Sequence, residues 1–351
     1  MGFVRAEAAT GWRKNARLYP RRPVAPESLW HTVVMLETAA LPPRIHPWDQ
    51  PPDPGVVDTA PLRLMALHAH PDDEASKGAG TVAMYASRGV RCTLVTATGG
   101  EEGEILNSEM DRPEVAERLH QIRLAELEDS VEICGYAAAY MLGYRDSGMP
   151  ESEANARPEA FANAGTREAL ARLVRLVRAE RPQVVLGYDD HHFYPHPDHV
   201  MVYKLGLELW DAAGDPDFAF DGFDLGEPWA PQKLYWFHWS MKRMAMIHAE
   251  FERRGWESPF GEWVKNRPVE GDEAITTQID VGDYMDVRRA ALVAHRTQVD
   301  PQSLWLRLPD DVLRDLHPFD DFVLARDRTG LPPWEGGVVE SDLFAGIATD
   351  P

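Results

Sequence analysis

The feature that most restricts how this chain can fold is an alternation. From Leu62 to His238, short apolar runs rich in β-branched and aromatic residues are separated by amphipathic stretches of helical period. Runs of strand length occupy 62–68 (LRLMALH), 90–97 (VRCTLVTA), 138–142, 183–188 (QVVLGY) and 233–238. Helices are predicted between them near 76–88, at 112–134, at 166–180 closed by Pro182, and at about 198–212. Strands joined through whole helices pair in parallel, because a tight hairpin joins only antiparallel neighbours. The pattern therefore predicts an α/β fold, a Rossmann-like, mostly parallel sheet with helices on both faces. Beyond Ser240 the order loosens into a helix near 241–254, an alternating stretch ITTQIDV at 275–281 and a helix at about 284–296. This part reads as irregular C-terminal additions that complete a substrate pocket from about residue 240 onward.

Residues 1–60 have a different character. Prolines cluster at Pro20, Pro23, Pro26, Pro42, Pro43, Pro47, Pro51, Pro52 and Pro54, and each removes a backbone donor and restricts the residue before it. The segment reads as a partly ordered arm, extended or packed over the surface, with one short helix near Glu27 to Thr38. A single domain is expected over 61–351; with 44% hydrophobic residues it can bury a sizeable core. A formal charge of -21 repels a phosphate backbone, and no basic stripe offsets it, so nucleic acid is excluded as a partner. The two cysteines, Cys92 and Cys134, form neither a disulfide framework nor a CxxC, which suits a reducing cytoplasm. Arg5, Arg13 and Lys14 are followed by no apolar run of signal-peptide character, and no stretch of about eighteen apolar residues occurs. A soluble, cytoplasmic protein is expected; the oligomeric state is not legible.

In open α/β sheets the ligand site lies beyond the carboxyl ends of the strands. Directly after the first strand comes His68-Ala69-His70-Pro71-Asp72-Asp73-Glu74, where His70 and Asp73 can converge on one cation from a single bend. After the strand ending at Tyr188 comes a second ligand-rich run, Asp189 to His199, with four histidines and three aspartates. Two imidazoles and one carboxylate make a catalytic zinc set with a fourth position left for water or substrate. The same set suits non-haem Fe2+. Asp72, beside a ligand but with a diverging side chain, has the residue type needed to take a proton from water.

The runs AHPDDE (69–74) and PHPDH (195–199), with TGGEEGEILN, RDSG and GEPWAPQKLY, resemble the PIG-L/LmbE-type zinc deacetylase superfamily over roughly Leu62 to Ile347. The resemblance implies that His70, Asp73 and His199 hold Zn2+ and that Asp72 is the general base. It also implies that Tyr194 and His196 lie over the substrate carbonyl and that Asp198 orients an imidazole. Substrate contacts are implied at Glu104, Arg123, Asp146 and Met149. Lys77 matches the branch that cleaves the amide of mycothiol S-conjugates, whereas RDSGM at 145–149 is closer to the branch that deacetylates N-acetylglucosaminyl-inositol. The implied partner is a small pseudo-disaccharide thiol conjugate, and the implied reaction is amide hydrolysis releasing a mercapturic acid and glucosaminyl-inositol. Deacetylation of a related amino sugar is the alternative, and a metal-stabilised sugar-binding protein the non-enzymatic one.

Ordinary structural roles compete with several of these. Mid-helix, Arg123 would be expected in a surface ion pair with Glu126 or Glu128, and Met149 in packing. His191 and His192 read as rim residues, Trp229, Tyr235, Trp236, His238 and Trp239 mainly as core, and the His295-Arg296-Thr297-Gln298 stretch by itself as surface, with a polar face for the site as the alternative.

Overall fold

The computed structural model describes residues 44–50, 60–190, 194–266, 272–331 and 340–348. The helix expected near Glu27 to Thr38, and His191 and His192, lie outside them. The strands are β1 (Ile45–Pro47), β2 (Arg63–His68), β3 (Arg91–Thr98), β4 (Ala138–Tyr144), β5 (Val184–Gly187), β6 (Lys233–His238), β7 (Thr277–Asp280) and β8 (Phe319–Asp327). They form one eight-stranded sheet in the order β1-β4-β3-β2-β5-β6-β8-β7. Pairing is parallel from β1 to β6, while β8 runs antiparallel to both β6 and β7. The predicted mostly parallel α/β sheet is thus present.

Strand β2 lies at the centre, with Leu64 level with Cys92 on one side and Val184 on the other. Its residues Leu64 to His68 are all buried, as a strand covered on both faces requires. The helices near it are α1 (Asp73–Ser76), α2 (Ala79–Ser87), α3 (Pro113–Ala116), α4 (Leu119–Cys134), α5 (Thr166–Glu180) and α6 (Pro197–Ala212). Later come α7 (Met241–Arg253), α8 (Gly261–Asn266), α9 (Met285–Ala294) and α10 (Asp310–Leu316). Helices α2, α4 and α9 pack on one another, and α5 packs on α6.

Three element boundaries differ from the sequence reading. The helix expected at 76–88 is split, because Lys77 is extended and Gly78 takes φ 82°, a left-handed value that glycine adopts without strain. The helix expected at 112–134 is broken at Arg118, whose φ of -119° interrupts the ladder. Inside the proline-rich segment, Ile45–Pro47 forms the edge strand β1 beside β4, a position where a proline without an N–H is tolerated. Among the described residues no helix is long and apolar enough to cross a membrane.

Candidate active site

The chain steps from β2 outward through β3 to β4, then returns to place β5 on the other side of β2. The carboxyl ends of β2 and β5 therefore flank the point where the strand order reverses, the position at which open α/β sheets form a crevice. Both His/Asp-rich loops open into it.

His199, one turn into α6, puts Nε2 3.2 Å from Asp73 Oδ2, and His70 Nδ1 lies 3.6 Å from the same oxygen. Zinc bound tetrahedrally at about 2.0–2.1 Å from each ligand needs donors roughly 3.4 Å apart, and both distances to Asp73 in this buried trio fit that spacing. The other nitrogen of His70, Nε2, meets Asp198 Oδ2 at 3.1 Å. Asp198 is itself fully buried and accepts from the backbone N–H of Ser147 at 3.0 Å and from its hydroxyl. That network assigns the proton of His70 to Nε2 and turns the Nδ1 lone pair toward Asp73, the arrangement by which carboxylates orient metal-ligating histidines. His70, Asp146, His196 and Asp198 form a second cluster of donors around the same ring.

Asp72 sits at φ 102° in the turn between His70 and Asp73, a conformation rare for residues with a side chain. Arg123 holds it there, donating from Nη2 to Asp72 Oδ2 at 2.9 Å and to Pro71 O, and from Nη1 to Gly100 O. The expected surface ion pair of Arg123 is therefore not formed: the guanidinium is buried, and Glu126 instead accepts from the backbone and hydroxyl of Thr297. Enclosure raises the Asp72 pKa, and the Arg123 charge opposes the rise without reversing it.

His196 is the N-cap of α6, its Nδ1 accepting from the Asp198 N–H at 3.3 Å, which leaves the proton on Nε2. Burial holds its pKa below the ordinary histidine value, so it is a neutral donor at physiological pH. Asp146 approaches both rings, 3.6 Å from His70 Nε2 and 3.9 Å from His196 Nε2, and accepts from the Gly148 N–H at 2.8 Å.

These groups floor a cavity of about 700 Å³, within the range for a drug-sized or disaccharide-sized ligand. Glu104, Arg123 and Asp146 line it. So does Met149, which is not packed as expected but half exposed on the rim with Tyr194 and Leu106. Lys77 does not line it: its ammonium is used by Asp73 Oδ1 at 2.6 Å. Sequence reasoning missed Leu106 and Arg157 on the cavity wall, and the 149–157 segment that carries Arg157 had no periodicity to draw attention, whereas Gln298, from a stretch that offered a polar face to the site, does line the cavity. The stretch read as surface after α9 is also corrected, since His295 and Thr297 are fully buried. Of the aromatic group, Tyr235 is core, whereas Trp239 is partly exposed.

Residues 65–210 match the family model described as PIG-L, GlcNAc-PI de-N-acetylase. The chain is 38% identical over 297 residues to the mycothiol S-conjugate amidase of Streptomyces coelicolor, across 82% of this chain and 98% of the relative. The chain belongs to the PIG-L family. The 1D-myo-inositol 2-acetamido-2-deoxy-alpha-D-glucopyranoside deacetylase of Thermobispora bispora is 37% identical over 310 residues, covering 82% of this chain and 99% of the relative. The fold matches that of the N,N'-diacetylchitobiose deacetylase from Pyrococcus horikoshii with a TM-score of 0.52 at 18% identity, over 87% of this chain and 94% of that one. A buried His/Asp cluster of this kind fits a metal-dependent member of the family.

Proposed function

We propose that this protein is a zinc-dependent amidohydrolase that cleaves the amide bond of mycothiol S-conjugates, releasing a mercapturic acid and glucosaminyl-inositol. The observation that carries the reading is the convergence of His70 Nδ1, Asp73 Oδ2 and His199 Nε2 from two loops, with Asp72 held beside them by Arg123. The 38% identity to a mycothiol S-conjugate amidase across 98% of its length supports the substrate. The rim formed by Leu106, Met149 and Tyr194 supports it too, because exposed apolar side chains beside a polar floor suit a thioether substituent beside a polyol.

His70, Asp73 and His199 would hold the ion. The chemistry such an ion supplies when bound is a lowered pKa for water, toward about 7, and polarisation of the substrate carbonyl. Asp72 takes the proton of the attacking water and delivers it to the departing amine. His196, neutral with its proton on Nε2, donates to the oxygen of the tetrahedral intermediate, and Tyr194 at the rim adds a phenolic donor. Asp198 keeps His70 in one tautomer. Asp146 and Glu104 accept hydrogen bonds from sugar and inositol hydroxyls. Both cysteines are free and buried, which supports residence in a reducing cytoplasm.

The deacetylase of Thermobispora bispora is nearly as similar, at 37% identity, and this favours a second reading: deacetylation of an N-acetylglucosaminyl-inositol. The two are separated by assaying the zinc-loaded protein on bimane-labelled mycothiol and on N-acetylglucosaminyl-inositol, with amine release as readout. Faster cleavage of the conjugate is expected, and the reverse preference would overturn the first reading. Asp72→Asn should lower kcat on the preferred substrate by on the order of 10²- to 10⁴-fold while bound metal stays constant.

A further inference from the structure

Behind the metal loop lies a polar network that the mechanism above does not use. Glu74 is fully buried and so is His295, which arrives from the end of α9, 221 residues further along the chain. His295 Nε2 lies 2.6 Å from Glu74 Oε1, and the Ser130 hydroxyl of α4 donates to the same oxygen. The other carboxylate oxygen, Oε2, accepts the backbone N–H of Asp72 at 3.0 Å. Two donors from distant helices thus converge on one carboxylate, and its remaining oxygen grips the one residue of the loop whose backbone is left-handed.

We infer that His295 and Glu74 are positioning residues that hold Asp72 in its catalytic conformation. The inference rests on the reading of Asp72 as the general base. A left-handed φ is disfavoured on a residue with a side chain, so surrounding contacts must impose it. Arg123 fixes the Asp72 carboxylate and the carbonyl of the Pro71–Asp72 peptide, which leaves the N–H on the opposite edge of that peptide to be held. The bond from Asp72 N–H to Glu74 Oε2 holds it, and that bond is only as rigid as Glu74. His295 and Ser130 supply that rigidity, and Ser130 shares a helix with Arg123. Removing the His295 donor frees Glu74 to turn toward another partner, after which Asp72 relaxes and its carboxylate shifts relative to the metal loop.

The test compares His295→Asn with His295→Gln in the full-length, zinc-loaded enzyme. The glutamine amide reaches about as far as Nε2 and can still donate to Glu74, whereas the asparagine amide falls short, although the two are similar in polarity. A misplacement of about 1 Å lowers turnover by on the order of 10²-fold, so His295→Asn should lose 10- to 100-fold in kcat with KM and bound zinc within twofold. His295→Gln should recover to within about threefold of the parent. A merely structural histidine would give equal kcat for both variants below their unfolding temperatures, and that result overturns the inference, as does a loss carried by KM or zinc content. Should the asparagine variant fail to fold, Ser130→Ala removes the other donor from the same oxygen; a kcat loss supports positioning and an unchanged kcat overturns it. Asp72→Asn, run in parallel, keeps the two ideas apart. If it turns over normally, the reading of Asp72 fails; if it is inactive while His295→Asn is normal, only the inference fails.

Discussion

Arg123 illustrates how a residue's meaning changes with its surroundings. Its guanidinium satisfies two carbonyls and one carboxylate, a fork that lysine cannot reproduce. Room for it comes from missing side chains: a Cβ on Gly100 or Gly103 would stand 2.3 or 2.4 Å from Nη1. Such a contact is ordinarily relieved by moving the arginine, but here movement breaks the bonds that orient Asp72. Gly103→Ala should therefore destabilise the fold by about 1–3 kcal/mol in chemical denaturation. Its kcat should also fall, and unchanged stability together with unchanged kcat would contradict this account. Nothing in the sequence around Arg123 distinguishes it from a surface arginine, because Glu126 stands one turn away as the ordinary partner. Only the position of the TGGEEG loop over that face of α4 shows otherwise.

Among the elements, the start of α7 shows local and distant sequence acting together. Ser240 caps it from within, accepting the Arg243 N–H at 3.1 Å, and Asp272 accepts the Met241 and Lys242 N–H groups, each at 2.8 Å. Burial disfavours the Asp272 anion, but these donors outweigh it, and its pKa falls below the ordinary carboxylate value. A depressed folded-state pKa means the stabilisation is complete above the unfolded value of 3.8 and is lost as pH falls through the folded value. Asp272→Asn should cost about 1 kcal/mol at neutral pH, and the gap to the parent should close only below about pH 4. Equal thermal midpoints at pH 7 would dispose of the cap. The serine cap is legible in sequence; the aspartate is not, being 32 residues away. Strand β8 escapes the same kind of reading because Asp320 and Asp321 interrupt its apolar run. Both are buried and bonded, Asp320 to Thr81 and Asp321 to His317.

For the whole molecule, the proposed metal set joins two halves of the sheet, one loop from β2 and one from β5. An ion held at a hundred times its dissociation constant adds about 2.7 kcal/mol of stability. Stripping it with a chelator should abolish turnover and lower the thermal midpoint, and adding Zn2+ should restore both; turnover that survives metal removal would exclude a metal-dependent reaction. The class of fold, the alternation of strands β2 to β6 with helices, and the two His/Asp loops at strand ends are determined by the sequence alone. They arise from periodicities and spacings only a few residues long, which act within one strand, helix or turn. Tertiary structure decided what those loops could do together. It set β2 beside β5, carried Asp198 to His70 across 128 residues, buried Arg123 under Asp72 and brought His295 to Glu74. Such pairings depend on which faces bury each other when the sheet closes, and no local pattern of residues encodes that choice.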